Sequence, residues 1–248
     1  MLNVRMYSLG PIQTNCYIVS NEKKECLIFD PGEEGARVIK NIRSNGLKPL
    51  AILLTHAHFD HIGAVDALRE VFNIPLWIHQ KEVDWLADPL KNGSGKYAEL
   101  PNTIVTPPME EHVIKKEKTI EIGSFQFDAV FTPGHSPGSI SYIFKEDLFA
   151  IVGDTLFKQS IGRTDLLGGS TKELLNSIHQ KLLTLPEDAI IYPGHGSYTT
   201  PQEEMEDNPF LNGATIYVTF PSGRVYEYRP VSLADQGPLR NIPQWNGG

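Results

Sequence analysis

Apolar runs broken by turn signals divide the chain into short elements. The segments "VRMYSL", "NCYIVS" and "ECLIFD" are rich in β-formers and are separated by Gly-Pro and Asn-Glu turns. They predict a three-stranded meander closing at Asp30-Pro31-Gly32. Apolar Ala36, Val38, Ile39 and Ile42 then follow helical spacing, which ends near Asn45-Gly46. "LAILLT" is a continuous apolar run that fits a buried strand, "AVDALREVF" returns to helical spacing, and "IPLWIH" reads as another strand.

The stretch from Lys91 to Lys118 is polar and rich in Gly and Pro, and reads as a long surface excursion. A second strand-rich set follows in "TIEI", "FQFDAVF", "SISYIF" and "LFAIVG". After it come a helix, "TKELLNSIHQKLLTL", capped by Ser170 or Thr171, and a strand, "AIIYPG". Strands and helices thus occur twice in the same rough order. This predicts a mixed α/β fold of two stacked halves with helices on the sheet faces. Near the C-terminus, "ATIYVTF" and "RVYEYRPV" flank Pro-Ser-Gly and predict a β-hairpin.

With 248 residues, 40% hydrophobic and 21% charged, a packed core is available and disorder is disfavoured. The net charge of -8 and the lack of a Lys/Arg cluster argue against nucleic-acid binding, which needs a basic face. Neither a signal peptide nor a membrane-length apolar run is evident, so a cytoplasmic location without membrane association is expected. Cys16 and Cys26 lie in strand-like runs and read as buried thiols. A disulfide between them would require neighbouring strands to bring them together.

Against this background the segment "LLTHAHFDHIGAV" stands apart. His56, His58, Asp60 and His61 fall within six residues, between a buried strand and a helix. Ligands in open α/β sheets bind at the carboxyl ends of strands. His56 and His58, two apart, can point the same way in an extended loop. Imidazole and carboxylate together are the usual donors for zinc and similar metals. Three further candidates repeat the device of a strand delivering one donor at its tip: His135 and His195, each after a Pro-Gly, and Asp154 after a Gly. Each alone is also ordinary loop chemistry. His79, His112 and His179 have no donor neighbour at useful spacing and read as structural or solvent-facing.

Four segments in order, "THAHFDH" (55–61), "TPGHSPGS" (132–139), "GDTLF" (153–157) and "GHG" (194–196), resemble the metallo-β-lactamase superfamily. Within it they are similar to compact bacterial glyoxalase II-like (hydroxyacylglutathione hydrolase-like) proteins. The resemblance covers about residues 1–212, leaving 213–248 as a C-terminal hairpin and tail extension. It implies an αββα four-layer sandwich with a dinuclear metal site. His56, His58 and His135 would hold one metal, Asp60, His61 and His195 the other, and Asp154 would bridge them. Two divalent cations are implied, zinc by donor type, with iron and manganese accepting the same donors.

That resemblance implies a metal-dependent hydrolase. A water shared by two cations ionises near neutral pH, and the hydroxide attacks a carbonyl whose oxygen a metal polarises. Asp60 would orient the bridging hydroxide. A thiolate leaves readily, so a small-thiol thioester suits the site. Within "SIGRTDL" (160–166), Arg163 is a candidate for gripping a substrate carboxylate, or equally for pairing with Asp165; Lys158 is a second candidate. Full-length glyoxalase II contacts glutathione through a helical domain, whereas the 53 residues after His195 read mostly as loop, a short helix and a hairpin, which leaves another thiol carrier open. The hairpin is a candidate sheet-edge cover, homodimer contact or interaction module. Rival readings are a persulfide dioxygenase-type redox enzyme, which the "GRTD" segment also resembles, a lactonase or β-lactam hydrolase, a nuclease disfavoured by charge, and a metal-containing binding protein.

Overall fold

Three antiparallel strands, β1 (Asn3–Leu9), β2 (Thr14–Ser20) and β3 (Glu25–Phe29), form the expected meander. The computed structural model describes residues 1–96 and 103–211 in full, and beyond them the backbone of 216–219 and 225–228. Helix α1 (Gly35–Ser44) leads into β4 (Lys48–Leu53). Helices α2 (Phe59–Ile62) and α3 (Val65–Phe72) precede β5 (Leu76–His79), and α4 (Pro89–Asn92) precedes β6 (Val113–Ile114). Strands β3 to β6 run parallel, completing a sheet in the order β1-β2-β3-β4-β5-β6.

The second sheet has the order β13-β10-β9-β8-β7. Its members are β7 (Lys118–Ile122), β8 (Phe125–Phe131), β9 (Ile140–Phe144), β10 (Phe149–Gly153) and β13 (Ile190–Pro193). Between the last two come a small ribbon, β11 (Leu156–Phe157) with β12 (Ser160–Ile161), and helix α5 (Thr171–Ser177). Helix α6 (Pro201–Asp207) follows. Strands β14 (Ile216–Thr219) and β15 (Val225–Tyr228) pair antiparallel, as a hairpin requires. The Pro-Ser-Gly turn between them and the tail after 228 lie outside the described residues.

Strand periodicity builds the layers. In β2 and β3, Cys16, Ile18, Cys26 and Ile28 face α1 and α3, whereas Tyr17, Val19, Leu27 and Phe29 face the other sheet. The second sheet answers with Phe127, Tyr142, Phe144, Phe149 and Ile151 inward, and Ile143, Ala150 and Val152 outward against α5. Helix, sheet, sheet and helix therefore stack around three apolar layers, the αββα sandwich. Each fully buried Leu, Ile or Phe contributes roughly 1.5–3 kcal/mol, so the aromatic-rich middle layer is the main bond between the halves. Cys16 and Cys26 are free thiols; β2–β3 register sets Cys26 opposite Ser20, so strand pairing does not bring them together.

Two segments differ from the sequence reading. The polar stretch from Lys91 to Lys118 is only partly a surface excursion, because β6 joins the sheet and Val105 is buried. Local bonding makes this compatible with its polarity: buried Asn92 donates to the carbonyls of Trp85 and Thr103 and accepts from Ser94. The helix expected over 171–185 is α-helical only to Ser177 and continues as a π-helical turn, Ile178–Leu182. The wider turn keeps Leu174, Ile178 and Leu182 on one buried face.

Candidate metal centre

Strand direction assembles the site. β3, β4, β8, β10 and β13 point the same way within their sheets, and each is followed by a polar residue at one common edge: Asp30, His56, His135, Asp154 and His195. β2 runs oppositely, so its first residue, Thr14, reaches the same edge. The sheets are tied together there. Tyr142 Oη donates to Leu54 O at 2.8 Å, Tyr17 Oη to Pro193 O at 2.6 Å, and the amides of Ile140 and Asn15 donate to Thr55 O and Gly194 O at 2.8 and 2.7 Å.

All seven donors expected from the sequence converge. His58 Nδ1 lies 2.8 Å from His135 Nε2, and these two with His56 form one three-donor group. Asp60, His61 and His195 form another, with His61 and His195 Nε2 each 3.3 Å from Asp60 Oδ2. Asp154 stands between the groups: Oδ1 is 3.4 Å from His61 Nε2, and Oδ2 is 3.5 Å from both His135 Nε2 and His195 Nε2.

Hydrogen bonds behind the rings determine which nitrogen faces the centre. Arg163 O can only accept, so His135 carries its proton on Nδ1, 2.8 Å away. Asp30 likewise takes the proton of His61 Nδ1 at 3.0 Å. Thr55 Oγ1 donates to Asp30 at 2.6 Å and therefore accepts from His56 Nδ1 at 3.0 Å. The inward Nε2 atoms of His56 and His61, and Asp154 Oδ1, are buried with no hydrogen-bond partner. Unpaired buried nitrogens and oxygens are costly, and two cations, one in each donor group, would satisfy them. The donor set therefore fits a metal pair.

Electrostatics agree. Burial, then the charges of its histidine neighbours, pushes His56 well below its usual range and His58 to about 3, leaving neutral ligand nitrogens. Burial disfavours the Asp60 carboxylate, yet His61, His195 and Thr14 outweigh it and hold the group at about 2. Burial likewise opposes the charge on His195, but hydrogen bonds to Asp154 and Asp60 raise it to about 9. Carboxylates that hold imidazolium protons this firmly hold divalent cations by the same attraction.

Chain comparisons decide the family. The profile of the metallo-beta-lactamase superfamily matches residues 9–195. The chain belongs to this superfamily. The protein named "Probable metallo-hydrolase YqgX" of Bacillus subtilis is 50% identical over 212 residues, 86% of this chain and 99% of that protein. The hydroxyacylglutathione hydrolase GloC of Haemophilus influenzae is 36% identical over 211 residues, covering 85% and 99%. Among solved structures, the BLEG-1 B3 metallo-beta-lactamase is 51% identical with a TM-score of 0.82, covering 86% of this chain and all of that one. TTHA1623 in a di-iron-bound form is 35% identical with a TM-score of 0.73, covering 84% and 100%. Like its superfamily, the chain is a metal-dependent hydrolase.

In this superfamily member all the donors except His56 and His61 line a cavity of about 610 Å³, walled by Ile12, Phe59, Phe157, Ile161, Leu166 and Leu167, with Lys91, Lys96 and Arg163 also lining it. Arg163 pairs bidentately with Asp165 at 2.7 Å, the alternative that its sequence left open. Lys158, next to Phe157, does not line the cavity, and its Nζ lies 3.2 Å from Glu203 Oε2. His79, His112 and His179 stay outside the donor groups. No helix among the described residues is long and apolar enough to cross a membrane.

Asp30, Thr55 and Thr14 escaped the sequence reading. Asp30 looked like the end of a turn, yet it accepts from Thr55 N, Thr55 Oγ1 and His61, and holds a left-handed φ of 47°. Thr14 donates to Asp60 Oδ2 at 2.8 Å. A polar residue at the end of a buried strand was the available signal. Gly194 is legible only in three dimensions: a Cβ there would lie 2.0 Å from Asp154 Oδ1.

Proposed function

We propose that the chain hydrolyses a small-thiol thioester of the hydroxyacylglutathione type. The observation that carries this reading is the convergence of seven donors, five of them lining a largely apolar cavity and His56 and His61 buried behind it, with neither cysteine lining the cavity. Bound as a pair, divalent cations supply an ionised water and a Lewis acid for the substrate carbonyl. His56, His58 and His135 would hold one, Asp60, His61 and His195 the other, and Asp154 both. Zinc suits the donor types, and the di-iron form of TTHA1623 supports iron as well. Asp60, its Oδ2 anchored by Thr14, presents a fixed acceptor toward a water between the two groups and orients it for attack. The apolar wall takes the acyl and thiol stems, and Lys96 offers positive charge to a carboxylate on the thiol carrier, whereas Lys91 and Arg163 are already held by Asp84 and Asp165.

The test is hydrolysis of S-lactoylglutathione by zinc-loaded protein, with His58→Ala as control. Metal-dependent turnover lost by at least 100-fold in the variant is expected. Protein with two zinc ions bound and no turnover would rule out this substrate. A second reading, β-lactam hydrolysis, is favoured by the 51% identity to BLEG-1 B3 metallo-beta-lactamase. A β-lactam and a persulfide with oxygen uptake belong in the same panel.

A further inference from the structure

Behind the three-histidine group sits a buried carboxylate, Glu82. Glu82 closes a 3-10 turn, Gln80–Glu82, directly after β5, and its side chain is fully buried. One oxygen, Oε2, accepts the Ala57 amide at 2.7 Å, and the other, Oε1, accepts the Gly138 amide at 2.7 Å. Ala57 separates His56 from His58, and Gly138 closes the loop that carries His135. The two oxygens of one side chain therefore span the two loops, from different sheets, whose three imidazoles form one donor group. Contact at Gly138 is so close that a Cβ there would lie 2.9 Å from the Glu82 carboxyl carbon. Among the described residues its partners are amides of the donor loops and the Ser136 hydroxyl, not a cation.

We propose that Glu82 is a positioning residue that sets the spacing between the His56–His58 segment and the His135 loop, and thereby the metal affinity of the three-histidine half of the site. This rests on the metal-pair reading and deepens it. A glutamine at 82 replaces one acceptor by an NH2 group, which must face a backbone N–H. An aspartate keeps both acceptors but is shorter by a methylene and reaches only one loop. Either change leaves an amide unpaired and frees one loop, while Asp60, His61 and His195 keep their own supports.

The experiment is a Co2+ titration of metal-free full-length protein, followed by visible absorption and by equilibrium binding. His58→Ala and His195→Ala mark which bands belong to which half. Wild type should take two Co2+. Glu82→Gln should bind one with unchanged affinity and the other 10- to 100-fold more weakly, the usual cost of losing an outer partner. The weakened band should be the one that His58→Ala removes. Hydrogen exchange at Ala57 and Gly138 should accelerate in the metal-free variant. Glu82→Asp, which keeps the charge, repeats the measurement if the glutamine variant is insoluble. Two Co2+ bound with wild-type affinities would overturn the role of Glu82 while leaving the metal pair intact. Equal weakening of both sites would also overturn it, making Glu82 a general structural residue. A wild type that binds no Co2+ would overturn the metal reading and this inference with it.

Discussion

At the scale of the residue, the site depends on side chains that touch no ligand position. Asp30 carries the largest burden. Its Oδ2 receives both Thr55 Oγ1 and His61 Nδ1, and its Oδ1 receives Thr55 N. Through Thr55 it also governs the proton of His56. One acid therefore aims two imidazoles. Asp30→Asn must set an NH2 against either the Thr55 amide or the Thr55 Oγ1 and His61 Nδ1 pair, so either orientation disturbs the support that Asp30 gives the two rings. Zinc affinity should fall about 10- to 100-fold. Calorimetric titration with zinc checks this, and an unchanged affinity would show that packing alone orients His61.

At the scale of the element, the short 3-10 turn after β5 links sheet and site. His79 Nδ1 accepts the Lys81 amide at 3.1 Å and so must be neutral at that nitrogen; its ring packs edge-on against Phe131 at 4.3 Å. Burial, helped by the charge of Lys81, lowers His79 from an ordinary 6.5 to about 4. In the folded protein it resists the proton that the unfolded chain accepts, so the unfolded state binds more protons between pH 6.5 and 4. Its contribution to stability is complete above that window and is lost as pH falls through it. Urea midpoints measured across this range should show wild type losing its advantage over His79→Gln as the solution is acidified. A gap that stays constant with pH would mean that His79 titrates normally.

At the scale of the whole molecule, the donors divide between the halves. His56, His58, Asp60 and His61 follow β4, whereas His135, Asp154 and His195 follow strands of the second sheet. A metal bound among them bridges the sandwich at one edge, adding to the aromatic layer between the sheets. Binding to the folded state alone stabilises it by about 4 kcal/mol at a thousandfold excess over Kd. Chelator-treated protein should therefore melt several degrees lower, and zinc should restore the midpoint. Equal midpoints with and without metal would mean that the donor edge is held rigidly by its hydrogen bonds and that the cations add no stability.

Much of this was written locally. Strand and helix periods, the fourfold donor cluster in 56–61 and the three Gly-flanked donors after strands are properties of neighbouring residues, so the two-sheet architecture and the donors were legible from the chain. Periodicity could not show the π turn at Ile178–Leu182, because α and π registers place Leu174 and Ile178 on one face alike. It also missed β6, whose two residues sit in a polar stretch and acquire their strand geometry from β5. Asp30, Thr14, Glu82 and Gly194 became functional only in three dimensions. Each acts on a partner at least 25 residues away, through a hydrogen bond or a forbidden contact. Sequence determines which donors exist and which strand end carries each. The fold alone decides what stands behind them, because the second layer is built from contacts between strands that never meet along the chain.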